Sequence, residues 1–186
     1  IDPNTGYYDQ LEQYHFNNIG NLRFEVINDI TNPVLDVTFD GLHIIDGEIV
    51  SAKPEVTVRL DDENEWLIME DIADTALFKF YLTHPDGTIE QVFFQDGQGT
   101  EMMQFEPATD QENVAHIYFR PEFDQDGEHT LQIRASDLSN NASGDLDYKI
   151  RFEVVQRSTI TDVLNYPNPF STKTQFVFTV TGSEAP

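Results

Sequence analysis

The stretch "ALFKFYLTHPDGTIEQVFF", residues 76–94, decides how this chain folds. Phe78, Phe80 and Leu82 fall on alternate positions, the period of a strand with one apolar face. His84-Pro85-Asp86-Gly87 then reads as a turn, since Pro presets φ and Gly supplies a positive one. Residues 88–94 return as the partner strand of a hairpin. A helix would need apolar residues three and four apart, and the proline would break it.

The same alternation recurs outward from this hairpin. Leu35, Val37 and Phe39 share a face, as do Val56, Val58 and Leu60. "VAHIYF" at 114–119 reads as a further strand. Leu131, Ile133 and Ala135 follow, then Tyr148, Ile150, Phe152 and Val154. Asp46-Gly47 and Asp126-Gly127 supply tight turns. This predicts about seven strands over residues 33–156. One-faced strands need a second sheet to cover them, so the expected fold is an all-β antiparallel β-sandwich. Strands of a buried parallel sheet would be apolar throughout. "EWLIMEDIADTALF" has room for one helical turn. "LRFEV" at 22–26 also alternates and reads as a leading strand or the end of a preceding module.

The 186 residues carry 34 Asp plus Glu against 10 Lys plus Arg, a net charge of −24. Such a surface repels phosphate backbones and anionic lipid, which argues against nucleic acid as a partner. It attracts cations, calcium above all. The absence of cysteine removes disulfides, thiolate catalysis and thiolate metal sites. The sequence holds no run apolar enough for a membrane-inserted helix.

"DGEHTLQIRASDLSNNAS", residues 126–143, resembles the last hairpin of bacterial immunoglobulin-like domains. That resemblance implies an immunoglobulin-like (fibronectin type III-like) sandwich over residues 30–157, with residues 1–29 as a tail or the end of a preceding module. Asp137 and Asn140 are suited to lock the closing loop by bonding their own backbone.

"VLNYPNPFSTKTQFVFTVTG", residues 163–182, resembles the start of the C-terminal sorting domain of proteins exported by type IX secretion. The phrase Tyr166, Pro167, Asn168, Pro169, Phe170 carries the likeness. Its prolines predict a stiff, polyproline-like rod joining one sandwich to the next. "TQFVFTV" is then the first strand of a sorting domain of which residues 158–186 hold only the beginning. The resemblance implies a cell-surface or extracellular parent protein. Its partners would be neighbouring domains of the parent chain and, through the complete sorting domain, the export machinery. "NPVLDVTFDGLHIIDGEIVSAKPEVTVRLDDENEW", from residue 32, resembles the module beside the catalytic part of gingipain-like and sortase-like surface peptidases. Those enzymes use a Cys and a His, and no catalytic motif of theirs falls in this chain.

The expected function is therefore non-catalytic: a spacer that stabilises a larger exported protein. Two alternatives stand beside it, a glycan- or protein-binding accessory module and an accessory domain of a gingipain-like cysteine peptidase or sortase. No cofactor is expected apart from calcium. Asp61, Asp62 and Glu63 follow one predicted strand, and Asp137 and Asn140 follow another. In an immunoglobulin-like topology both loops lie at one end, where together they offer five oxygens to calcium. The plainer reading is a solvated turn with local Asx bonds. "FDQDGE" reads as a turn, although it resembles part of a calcium loop. His15, His43, His84, His116 and His129 form no metal-binding pair and read as structural. Trp66 reads as a core ring, with a sugar-stacking platform as the alternative. "DTA" at 74–76 resembles a short O-glycosylation motif, and Asn141-Ala-Ser is an N-glycosylation sequon, read as unused.

Overall fold

The computed structural model describes residues 22–26, 28–157, 159–169 and 172–181. Strands β1 (Val34–Phe39), β2 (Glu48–Val50), β3 (Val56–Asp61), β4 (Phe78–Thr83), β5 (Ile89–Val92) and β6 (Met103–Glu106) come first. They are followed by β7 (Val114–Phe119), β8 (Gly127–Ala135), β9 (Tyr148–Val154), β10 (Thr159–Tyr166) and β11 (Gln175–Thr181). A short 3-10 helix, Ile72–Leu77, leads into β4.

Two sheets form the body. One has the order β1-β3-β7-β6, and the other β2-β9-β8-β4-β5. All neighbours within them are antiparallel except β2 and β9. The alternation read from sequence is what closes them on one another. Val56, Val58 and Leu60 of β3 are buried, as are Phe78, Phe80 and Leu82 of β4. Rings meet across the gap: Phe39 of β1 lies 5.3 Å from Phe152 of β9, and Phe80 of β4 lies 6.3 Å from Phe119 of β7. Burying each such side chain contributes about 1.5–3 kcal/mol, so this layer outweighs any surface contact. Arg120–Glu55, Arg134–Asp147 and Arg151–Asp46 pair on the exposed outside, where ion pairs contribute about 0–1 kcal/mol each.

The turns behave as their residues require. Asp86 accepts from the Thr88 N–H at 2.8 Å, and Gly87 takes φ +86°. Gly127 has φ +123°, and a Cβ there would sit 3.2 Å from the Pro85 ring. Only glycine lets these two turns approach so closely.

The fold departs from these expectations at several points. "LRFEV" forms no strand, and Leu22, Phe24 and Val26 are exposed. Among the described residues no strand pairs with it, so periodicity alone does not make it a strand. β2 and β6 were not foreseen. They are three and four residues long, too short for a period to register. β10 was not foreseen as a strand either. It pairs antiparallel with β11, Tyr166 opposite Gln175, in a two-stranded sheet of its own. Tyr166, Pro167, Asn168 and Pro169 therefore lie at the closed end of a hairpin instead of forming an outward rod. The Tyr166-Pro167 and Asn168-Pro169 bonds are both cis. Phe170 lies outside the described residues, as does His15.

His129 shows how burial couples to pH. It points inward from β8, 1% exposed, stacked on Phe152 at 5.8 Å and tilted against Phe123 at 4.7 Å. Its Nδ1 donates to the Gly127 carbonyl at 3.1 Å. Burial holds its pKa below the usual 6.5, with His84 adding repulsion and Asp124 opposing. The unfolded chain then takes up a proton near pH 6.5 that the folded chain refuses. Stability is full above that pH and falls as pH drops through the window below it. His129→Phe is expected to flatten this acid limb by up to about 1.4 kcal/mol per pH unit, measured by urea unfolding between pH 7 and 5.

Candidate metal centre

At one end of the sandwich, chain segments far apart in sequence bring three carboxylates together. Asp62 directly follows β3, and its N–H extends the ladder by donating to the Asn113 carbonyl at 3.0 Å. That bond draws its side chain inward, to 4% exposure. Asp137 follows β8 and is fully buried. Its Oδ1 accepts from the Asn141 N–H at 2.7 Å and its Oδ2 from the Asn141 amide at 2.8 Å. Asp29 comes from the segment ahead of β1. Its Oδ2 accepts from the Asn64 amide at 2.8 Å, and its Oδ1 from the Thr31 N–H at 3.0 Å. One oxygen from each of Asp29, Asp62 and Asp137 lies within 4.8 Å of the other two.

Asn113 braces this end. Its amide nitrogen donates to Asp62 Oδ2 at 3.2 Å, to the Asn64 carbonyl at 3.0 Å and to the Leu67 carbonyl at 2.9 Å. Its Oδ1 accepts from the Met69 N–H at 3.0 Å. The loop after β3 is thus wrapped around one buried side chain.

The electrostatics of the cluster are unfavourable without a counter-charge. Burial pushes the Asp62 carboxyl up to about 6, and the negative charges of Asp137, Asp29 and Glu63 push the same way. The Asn64 N–H opposes them. Asp29, by contrast, is held below the usual carboxylate range, first by the Asn64 amide and then by the Thr31 N–H. Three hard oxygen donors suit a hard cation. Calcium binds oxygens at about 2.3–2.6 Å, so opposite ligands of one shell stand about 5 Å apart, and the spacing here fits. A bound cation would compensate the charge that folding has desolvated.

Of the residues singled out in the sequence, Asp62 and Asp137 meet here as their shared end required. Asp61 does not join them; it accepts from Arg59 Nη2 at 2.6 Å. Glu63 is exposed and acts on Asp62 only through its charge. Asn140 is exposed with φ 66°, and its backbone N–H donates to the Asp137 carbonyl at 3.2 Å. Asp29 was missed, because "NDITNP" reads as a breaker with no partner in view.

No family model matches this chain, and no curated protein matches it. It is similar to a solved structure, the dimeric latent PorU from Porphyromonas gingivalis, at 18% identity and a TM-score of 0.46. The match covers 87% of this chain and 14% of that one, so this chain spans about a seventh of PorU's length. A likeness this loose carries no argument about activity.

The remaining candidates have other roles. Trp66 is not a core ring but is 89% exposed on the loop after β3. His43 contacts Asp36 at 2.7 Å and His84 contacts Glu90 at 3.1 Å. His116 stacks on Tyr118. Thr75 is half-buried, its hydroxyl donating to the Ile72 carbonyl at 2.8 Å. The Asn141 amide of the sequon is committed to Asp137 and to the Asp29 carbonyl. Asp126 of "FDQDGE" accepts from the Gln156 N–H at 2.7 Å, as a turn residue.

Proposed function

We propose that this chain contributes a non-catalytic, immunoglobulin-like sandwich to a larger exported protein, and that calcium fixes its N-terminal joint. The observation that carries the reading is the position of Asp29. It lies on the segment entering the sandwich, yet it meets two buried carboxylates, one following a strand of each sheet. A cation held there by Asp29, Asp62 and Asp137 would tie the entering segment to both layers at once. The protein's part is to aim three oxygens, brace them through Asn64, Asn113 and Asn141, and keep two of them from water.

The strand orders β1-β3-β7-β6 and β2-β9-β8-β4-β5 support the immunoglobulin-like reading. The phrase from Tyr166 to Phe170 supports placement ahead of a type IX sorting domain, and hence at the cell surface. Neighbouring domains of the parent chain, and the export machinery through the complete sorting domain, are the proposed partners. The acidic surface keeps such a module soluble outside the cell.

Limited proteolysis tests the joint. With calcium, cleavage in residues 28–33 is expected to slow about ten-fold or more relative to chelator, since each 1.4 kcal/mol of added protection is ten-fold. Equal rates in both conditions would refute a cation-fixed joint.

A further inference from the structure

A second feature of the same end points to a ligand of different chemistry. A groove of about 450 Å³ runs between the loop after β3 and the turn before β7. Trp66 lines it, almost wholly exposed. Its backbone is nevertheless fixed, because the N–H groups of Trp66 and Leu67 both donate to Asn64 Oδ1 at 2.9 Å. A large apolar ring held out in water on a braced loop costs little further ordering when a partner covers it.

The walls give the sign of that partner. Glu63, Glu65, Asp110 and Glu112 are exposed lining residues. Arg59 is the one cation among the lining residues, and it is bound to Asp61. A ring face next to several carboxylates attracts a cation twice, through the ring quadrupole and through direct charge. A neutral sugar would use the ring but gain nothing from the density of negative charge. We propose that this groove docks an arginine- or lysine-rich peptide segment, one cationic side chain lying over Trp66 and its neighbours meeting the carboxylates on the rim. The groove shares Asp62, Asn64 and Asn113 with the calcium joint, so it is tested with and without the metal.

The single tryptophan makes the test direct. Hexa-arginine is titrated into the full chain, in saturating calcium and again in chelator, while Trp66 emission is followed. A saturable shift is expected in both. A fluorescent hexa-arginine then gives Kd by anisotropy for variants. Trp66→Ala should weaken binding about five-fold, the loss of one cation–π contact. Glu65→Gln/Glu112→Gln should weaken it at least as much, while Asp145→Asn/Glu153→Gln, which removes two exposed charges outside the groove, should leave Kd within about two-fold. Circular dichroism checks that each variant is folded, and the wild-type emission result needs no variant. Equal affinity for wild type and Trp66→Ala would mean diffuse attraction to an acidic surface and overturn the proposal. So would an emission shift caused by neutral maltohexaose and not by hexa-arginine, which would make the groove a sugar site.

Discussion

Phe80→Ala is expected to lower the unfolding free energy by about 4 kcal/mol. Phe80 sits on β4, inside its sheet between β8 and β5, and is 0% exposed. Its ring meets Phe94 edge-on at 6.2 Å and Phe119, from the opposite sheet, at 6.3 Å. Truncation removes contacts to both layers at once and leaves a void that flat, hydrogen-bonded sheets cannot collapse to fill. The transfer term and the cavity term therefore add. Urea unfolding should show the midpoint falling with little change in slope, because the surface exposed on unfolding hardly changes. A loss below about 1 kcal/mol would mean that the two sheets do not close on this ring.

Calcium gives the second large effect. For a site of extracellular strength, with ion at about a hundred times Kd, binding adds about 2.7 kcal/mol. In a domain of this size that raises Tm by about 10 °C. Asp62→Asn separates this gain from ordinary packing. In chelator the variant should be as stable as wild type, or more stable by up to about 2 kcal/mol, because it removes a buried negative charge from beside Asp29 and Asp137. In calcium it should lose most of the increment. Differential scanning calorimetry of both proteins in both conditions checks all four values. If wild type melts at the same temperature with calcium and with chelator, the cluster holds no cation of this kind.

The two effects rest on different parts of the information in the chain. Phe80 was assigned to the core by its period alone, as were Val58, Leu60 and Ile133, all buried to the last few per cent. Side chains on a strand alternate by geometry, so any strand long enough to show the alternation reveals its inner face. The Asp-Gly turns were equally legible, because a positive φ is a local demand that few residues meet. β2 and β6 lay below that threshold. They exist because β9 and β7 offer them an edge. "LRFEV" shows the converse, a strand-like pattern that no described strand pairs with.

The candidate site was half legible. The resemblance to immunoglobulin-like domains implied that the loops after β3 and β8 share one end, which put Asp62 and Asp137 within reach. Which of several neighbouring acids turned inward was decided by hydrogen bonds to residues far along the chain. Asn113 pulls in Asp62 while Arg59 holds Asp61 aside. Asn64 draws Asp29 from outside the sandwich. Trp66 was misread for the same reason. Its exposure follows from a loop conformation set by Asn64 and Asn113, and an isolated aromatic carries no period to show its side.

By itself, then, the sequence determined the all-β class, the inward faces of the longer strands, the tight turns and an anionic exterior. Each of these follows from neighbours within a few residues, where strand geometry and local sterics act. The tertiary structure alone decided the meeting of Asp29 with Asp62 and Asp137, the burial of His129, the outward ring of Trp66 and the hairpin of β10 with β11. Those depend on which distant groups satisfy one another's hydrogen bonds and charges once water is excluded, and no local pattern encodes that choice.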